Sequence, residues 1–515
     1  MPGPALAGSI RCAVSARRLY LLVAAAAAIV HLGVLWNGFV LDDLQIILAN
    51  PTVRSLSGVW QAFGTSYFPS NIDVSTYRPL TVATYALDWS LHASAWFHAV
   101  NLMWHVGASV LVAILARRWA GDAAGLLAGL VFAVHPVHVE AVANVVGRNE
   151  LMAAVFTLLA VYAALERGSV GWSVAAMAAA VLSKENGAVA PGLVAWAWLL
   201  GVRPAPPRRK LAMFVASWVL LGVAYLGLRW SVLHGFLRGP GNTAPVFLGE
   251  DALAIRLTAT AALGDVARLL LFPLALSADY SPDHRTAVHR LLDARLGLGV
   301  LVLGLWALLL GWAWRRGRKV EAFGLGWIPI AYAPVANLLF PIQILIAERT
   351  LYLPSVGLAL ALGAACRGLS GRRLAAAAAL VVVLGGTRSA LRVPVWRDQH
   401  SVALGLIRDA PRSYFTWRYV GWDHLWSGRY DRAIQALRVS SGIFPHDARV
   451  YLAAAHAEYA LHHPAVAESL LSRADAVCER CVTLYRSEAF FCRMRGDSVT
   501  ADWLTAHELR LRSSP

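Results

Sequence analysis

Eleven apolar runs recur along this chain, most of them near the roughly 17–25 residues needed to cross a hydrocarbon layer as helix, and that recurrence leaves few folds open. The first covers about 19–36. The others centre on Ala108, Leu130, Leu158, Ala178, Ala195, Leu220, Leu303, Ile330, Leu360 and Val381; those at Ala178 and Ala195 are short enough to be tilted or packed inside a bundle. With 58% hydrophobic and 15% charged residues, and a mean hydropathy of +0.55, the chain holds more apolar surface than a soluble domain can bury. The reading is all-α: a polytopic membrane bundle of about 11 spans, with 12 as the alternative.

The net charge of +16 invites a nucleic-acid partner, but the basic residues flank apolar runs instead of forming one face. Arg17-Arg18, Arg117-Arg118, Glu166-Arg167, Arg203 with Arg208-Arg209-Lys210, Arg315-Arg316 with Arg318-Lys319, and Arg367 with Arg372-Arg373 fall on every second loop. The positive-inside bias makes these loops cytoplasmic. The expectation is a multi-pass inner-membrane protein with the N-terminus inside and the C-terminus periplasmic. The first run reads as an uncleaved signal anchor. Residues 252–276 are apolar but carry Arg256, Asp265 and Arg268; a span there would put the next Arg-rich loop on the wrong side. That segment therefore reads as an external amphipathic or re-entrant helix.

After residue 392 the character changes. Four columns repeat three times at a spacing of 34: Trp417, Tyr451, Tyr485; Gly421, Ala455, Ala489; Gly428, His462, Gly496; and Ala433, Ala467, Ala501. This is the tetratricopeptide period, with small residues letting paired helices approach. The expected domains are a membrane domain, 1–392, with a first external loop at about 38–95, and a repeat domain, 393–515, with repeats at about 414–447, 448–481 and 482–515. Cys478, Cys481 and Cys492 lie close in sequence and fit either one disulfide or buried packing thiols.

On this topology the cytoplasmic ends carry little beyond basic residues, whereas the external ends carry seven polar clusters. They are Asp42-Asp43; Tyr77-Arg78; His135 with His138 and Glu140; Arg148-Asn149-Glu150; Lys184-Glu185; Asp279-Tyr280; and Glu348-Arg349. Ionisable groups near a bilayer face one another or a cavity, so this asymmetry points to an external polar cavity. Asp42 and Asp43 are either a surface or capping pair or a general base acting on an attacking hydroxyl. His135, His138 and Glu140 offer two imidazoles at i, i+3, but Pro136 interrupts the helix; lining the cavity is favoured over metal, and no metal site is assigned. Arg78, Arg148, Lys184 and Arg349 either snorkel to headgroups or hold a phosphate.

The ordered motifs resemble one family. They are Phe39-Val40-Leu41-Asp42-Asp43 with Asn50-Pro51, Tyr77-Arg78-Pro79, Phe97-His98-Ala99-Val100-Asn101, and His135 through Arg148. Ser183-Lys184-Glu185, Asp279-Tyr280-Ser281, Asn337 through Arg349, Tyr352-Leu353-Pro354-Ser355 and the C-terminal repeats follow. From about residue 37 onward the chain resembles the transmembrane-and-tetratricopeptide O-mannosyltransferases, in a bacterial version. The resemblance implies a GT-C glycosyltransferase fold, a polyprenyl-phosphate sugar as donor (undecaprenyl phosphate in a bacterium) and inverting transfer outside the cytoplasm. It implies a base at Asp42, with Asp43 second. It implies donor-phosphate contacts from Arg349, Lys184, Arg148 and Arg78, and a cavity lined by His135, His138, Glu140, Glu185, Asp279, Tyr280 and Glu348. No cofactor is implied; a divalent metal stays open. Implied partners are membrane lipid, the lipid-linked sugar and a protein or glycan acceptor reached through the repeats. The array of three is shorter than in eukaryotic relatives. The rivals are a transporter or flippase, a non-catalytic tetratricopeptide scaffold, and a ligase or polymerase using a lipid pyrophosphate.

Overall fold

The computed structural model describes residues 15–68, 76–91, 93–234, 243–478 and 482–513, and among them every regular element is helical. Each of the eleven apolar runs becomes helix, yet the span count differs from the sequence reading. Among the described residues, six helices are long and apolar enough to cross a membrane by length and composition: Ala16–Trp36, Ser94–Ala120, Val145–Leu165, Arg208–Leu233, Ala294–Arg315 and Gly371–Trp396. The pair Asp122–Ala133 and Pro136–Ala143, bent by 47°, makes a seventh if taken as one span. Val170–Ser183, Ala190–Leu200, Lys319–Tyr332 and Tyr352–Ala365 have 14, 11, 14 and 14 residues. At about 1.5 Å per residue, 14 residues reach roughly 21 Å, short of a hydrocarbon core of about 30 Å. The shortening has a local cause. Pro136, the Lys184-Glu185-Asn186 turn and the Ala333–Val335 turn each break a helix just where the polar motifs begin.

Burial sorts the helices. The window in Val145–Leu165 is 83% buried and forms the centre, whereas those in Arg208–Leu233 and Gly371–Trp396 are 11% buried and present apolar side chains outward. Close approach in the centre rests on small residues. Gly324 and Gly357 face each other so closely that a Cβ added at either would lie 2.4 Å from the other's carbonyl oxygen. Gly357→Ala is therefore expected to destabilise the bundle by about 1–3 kcal/mol, the usual cost of overpacking. Gly222→Ala, where an added Cβ meets nothing within 4 Å, is expected to be neutral or mildly stabilising. Thermal unfolding of the two variants in detergent checks the contrast.

The segment 252–276 holds one helix, Ala252–Leu271, whose N-terminal amides are capped by Asp251 and which packs against Ala294–Arg315. It is absent from the helices that meet the spanning test.

The C-terminal region is three antiparallel helix pairs. The first helices are Tyr414–Trp426, Ala448–Ala460 and Val482–Met494; the second are Tyr430–Ile443, Pro464–Val477 and Ser498–Ser513. Both series start at intervals of 34 residues. The four sequence columns acquire distinct physical roles. Ala433, Ala467 and Ala501 are fully buried between paired helices. Gly428, His462 and Gly496 have φ of 69°, 63° and 82°, the left-handed residue that turns the chain from one helix to the next. A Cβ at Gly421 would strike Leu437, while Ala455 and Ala489 are buried. Cys481 lies outside the described residues; Cys492 keeps a free, buried thiol.

The first helix pair is fastened to the polar end of the bundle. The Tyr414 amide donates to the Pro282 carbonyl at 2.7 Å, the Gly38 amide to the Arg397 carbonyl at 2.8 Å, and Arg412 pairs with Asp283 at 3.1 Å. The loop bearing Asp42 and the start of the repeats are thus neighbours.

Candidate functional site

The acidic pair follows Leu41, whose φ of +50° is a left-handed conformation that a branched side chain rarely adopts. Such strain is held only where surrounding contacts over-determine it. Here the contacts belong to Asp43. Its side chain is fully buried; one oxygen accepts the Val40 amide at 3.1 Å and the Val145 amide at 3.4 Å, the other the Val146 amide at 2.8 Å. Burial pushes Asp43 up to about 7, the three amides oppose the rise, and the neighbouring Asp42 adds to it. Asp43 therefore ties the first loop to the turn before Arg148. Asp42 is different. It is partly buried, and among the described residues its carboxylate has no hydrogen-bond or ion-pair partner. Its charge acts on Arg349, Tyr67 and Arg449. The two residues that look equivalent in sequence are chemically unlike.

Asp42 lies within electrostatic reach of Arg349, which belongs to a group of cations each held by one carboxylate. Arg349 follows the extended residue Ala347, and Glu140 grips it twice, accepting from its backbone amide at 2.8 Å and from Nη1. Its Nε and Nη2 have no partner among the described residues. Lys184, at the C-terminus of Val170–Ser183, donates to Glu150. Burial lowers Lys184 to about 8, opposed by Glu150 and reinforced by Arg78 and Arg349. Arg78 pairs with Glu185 at 3.1 Å and lies 4.8 Å from the centre of the Tyr67 ring. Glu185 also accepts from Arg229 at 3.4 Å. Arg349, Lys184 and Arg78 thus form one positively charged wall near a carboxylate that has no bond of its own. Chemically, that arrangement can accept a proton at one side and stabilise a departing anion at the other.

Arg148 is not part of the wall. It is fully buried, and its donors go to Asn101 at 2.9 Å, Thr84 at 3.2 Å, the Phe97 carbonyl at 2.9 Å and Asp88. With each of its three nitrogens bonded to protein, it braces the helix Ser94–Ala120 against Pro79–Trp89. His135 and His138 also differ from the cavity-lining expectation. His135 Nε2 bonds the Leu270 carbonyl at 2.9 Å, and His138 Nε2 bonds Ser355 at 2.7 Å while its ring packs between Phe132 and Tyr352. The two imidazoles point to different partners, and both fill protein core. Asp279 caps the turn at Ser281 and accepts from Ser413, so it serves the junction with the first helix pair.

Glu348 bonds a different segment from the Glu140–Arg349 pair. It accepts from the Ser277 amide and from the Tyr280 hydroxyl at 3.2 Å, while Oε2 is buried without a partner. Burial pushes it up to about 8, against the pull of nearby Arg392 and with a further push from Glu140. Arg392 itself is 1% exposed; Nη1 binds Asp409, while Nε and Nη2 are buried and unpartnered.

Sequence reasoning placed Glu150 at this end without its pairing to Lys184, and missed Arg229, Tyr67 and Arg392. Arg229 had a legible signal, a charge inside an otherwise apolar helix. Arg392 stood in a similar place at the end of the last apolar helix. Tyr67 carried none.

No family model matches the chain. It is 29% identical over 455 residues to protein O-mannosyl-transferase TMTC4 of Homo sapiens, covering 74% of this chain and 60% of that protein. It is 25% identical over 466 residues to protein O-mannosyl-transferase TMTC3 of Mus musculus, covering 80% and 50%. It is 28% identical over 356 residues to protein O-mannosyl-transferase F38B6.6 of Caenorhabditis elegans, covering 67% and 50%. The chain spans about half to three fifths of the length of these relatives. Among solved structures, ArnT from Cupriavidus metallidurans bound to undecaprenyl phosphate aligns with a TM-score of 0.43 and 16% identity, covering 89% of this chain and 79% of that one.

Proposed function

We propose, for a chain that is a relative of the protein O-mannosyl-transferases, a membrane glycosyltransferase of the GT-C type that draws a sugar from a polyprenyl-phosphate donor. The observation that carries this reading is the lone carboxylate of Asp42 near Arg349, which is grouped in turn with Lys184 and Arg78. Asp42 takes the proton of an acceptor hydroxyl. That oxygen forms a bond to the anomeric carbon from one face while the bond to the phosphate oxygen breaks on the other. The electron pair leaves with the lipid phosphate, whose charge Arg349, Lys184 and Arg78 neutralise. A single displacement inverts the anomeric centre. Asp43 positions the loop, and Glu140, Glu150 and Glu185 orient the cations.

In this reading the end lies outside the cytoplasm and the N-terminus inside, an orientation supported by the basic residues on every second loop. We read residues 1–392 as the transferase domain and the three C-terminal helix pairs as a tetratricopeptide array that presents a protein or glycan acceptor. Mannose is the sugar favoured by the names of the relatives. The direct test incubates purified protein with labelled polyprenyl-phosphate sugars and analyses candidate acceptors by mass spectrometry. Transfer that depends on Asp42 supports the reading, and no transfer from any donor overturns it.

Lys184 gives this proposal a pH signature. Its charge is lost as pH rises through about 8. The KM for the donor is expected to climb above that pH. Lys184→Arg, which stays charged, is expected to flatten the climb. Initial rates over a pH series check both.

A further inference from the structure

The second and third C-terminal helix pairs bring three metal-ligand side chains to one point, away from the cavity. His456 stands on Ala448–Ala460; Glu488 and Cys492 stand one turn apart on Val482–Met494. Their ligand atoms all lie within 4.8 Å of one another. Nδ1 of His456 is 2.9 Å from Oε1 of Glu488 and 3.8 Å from Sγ of Cys492. His456 and Cys492 are buried, at 7% and 1% exposure. The other imidazole nitrogen, Nε2, faces Oδ2 of Asp497 at 3.7 Å. Asp497 is fixed in turn, since its Oδ1 accepts the Thr500 amide at 3.0 Å.

We propose that His456 Nδ1, Cys492 Sγ and Glu488 bind a zinc-class divalent cation that staples the third helix pair to the second. Tetrahedral zinc, with bonds of about 2.0–2.3 Å to nitrogen, oxygen and sulfur, sets its ligand atoms roughly 3.3–3.6 Å apart. The sulfur and Nδ1 already stand within a few tenths of an ångström of that spacing. The Glu488 carboxylate, now hydrogen-bonded to the imidazole, needs to draw back by about half an ångström. Asp497 stands behind the histidine, its carboxylate 3.7 Å from the second ring nitrogen and within a small shift of the bond that would set the tautomer. A thiolate and an imidazole select a borderline cation over calcium or magnesium, which take oxygen ligands. The fourth position is left to water.

The competing arrangement is an imidazolium clamped between Glu488 and Asp497. The nearby arginines bond other groups: Arg493 binds Asp502 and Thr505, and Arg495 lies over the Trp426 ring. Because repeat arrays gain stability from nearest-neighbour interfaces, a cation here would govern how firmly the last pair is held.

The test uses the full chain in detergent, purified without a histidine tag, stripped with chelator and titrated with zinc or cobalt(II). We expect about one equivalent of zinc per chain by elemental analysis, a thiolate-to-cobalt charge-transfer band, and a higher thermal midpoint with zinc. Calcium and magnesium are expected to do neither. His456→Ala and Cys492→Ala lose the cation, and Cys366→Ala keeps it. Asp497→Asn retains the helix cap but binds zinc about tenfold more weakly. Absence of stoichiometric zinc from the unaltered protein, or its retention in Cys492→Ala, overturns the proposal. Should the alanine variants fail to fold, the cobalt band of the unaltered chain decides alone: its presence supports the site and its absence refutes it.

Discussion

Asp42→Asn is expected to fold like the parent and to lose sugar transfer by about 10²–10⁴, the range set by removing a general base. The stability half of that expectation follows from bonding. The Asp42 carboxylate has no partner among the described residues, so the amide replaces nothing structural. The activity half follows from the neutral amide's inability to take the acceptor's proton. Asp43→Asn is the matched contrast. An amide has one acceptor oxygen where the carboxylate served three backbone amides, and its own NH2 group would face donors. One or more buried amides then go unpaired, at about 1–3 kcal/mol each. Initial rates with labelled donor, set beside thermal midpoints of the two variants, separate the roles. If Asp43→Asn kept its midpoint and lost transfer while Asp42→Asn stayed active, the base would be reassigned to Asp43.

Arg148→Met is expected to cost about 3–5 kcal/mol, the cost of breaking a buried ion pair from one side. Asp88 would remain as a buried carboxylate without its cation, and the Phe97 carbonyl and Asn101 would lose their donors. Asp88→Asn added to Arg148→Met is expected to recover part of the loss, because no charge is then left unpaired. Thermal unfolding of both single variants and the double variant measures the coupling. The protein that does fold should keep its donor KM. A variant of normal stability with a raised donor KM would return Arg148 to the phosphate wall.

The arginine and the two aspartates illustrate what could be read in advance. Their presence at helix ends, and their grouping on one side of the apolar runs, were legible because charge near a bilayer is costly and its position is informative. Their bonding was not. Arg78, Arg148, Lys184 and Arg349 are all plain cations in the sequence, yet one bonds four partners and three are each held by a carboxylate from another segment. The histidines of the His135–Glu140 motif read as cavity residues because they sit beside a break in an apolar helix. They are core, since their nitrogens find a carbonyl and a hydroxyl from distant helices.

The sequence by itself determined the helical elements, the 34-residue pairing of the C-terminal helices, the choice of Gly or His where the chain turns left-handed, and the end of the bundle where polar residues gather. All of these are local or periodic properties, set by backbone sterics and by hydrophobic spacing. Tertiary structure alone decided where breaks shorten the apolar helices, how each cation is bonded, and which member of the acidic pair is left without bonds among the described residues. Those outcomes depend on contacts such as Glu140 with Arg349, 209 residues apart, and Asp43 with Val146, 103 apart. No periodicity encodes such pairs, because each exists only once the helices have packed and water has left the space between them.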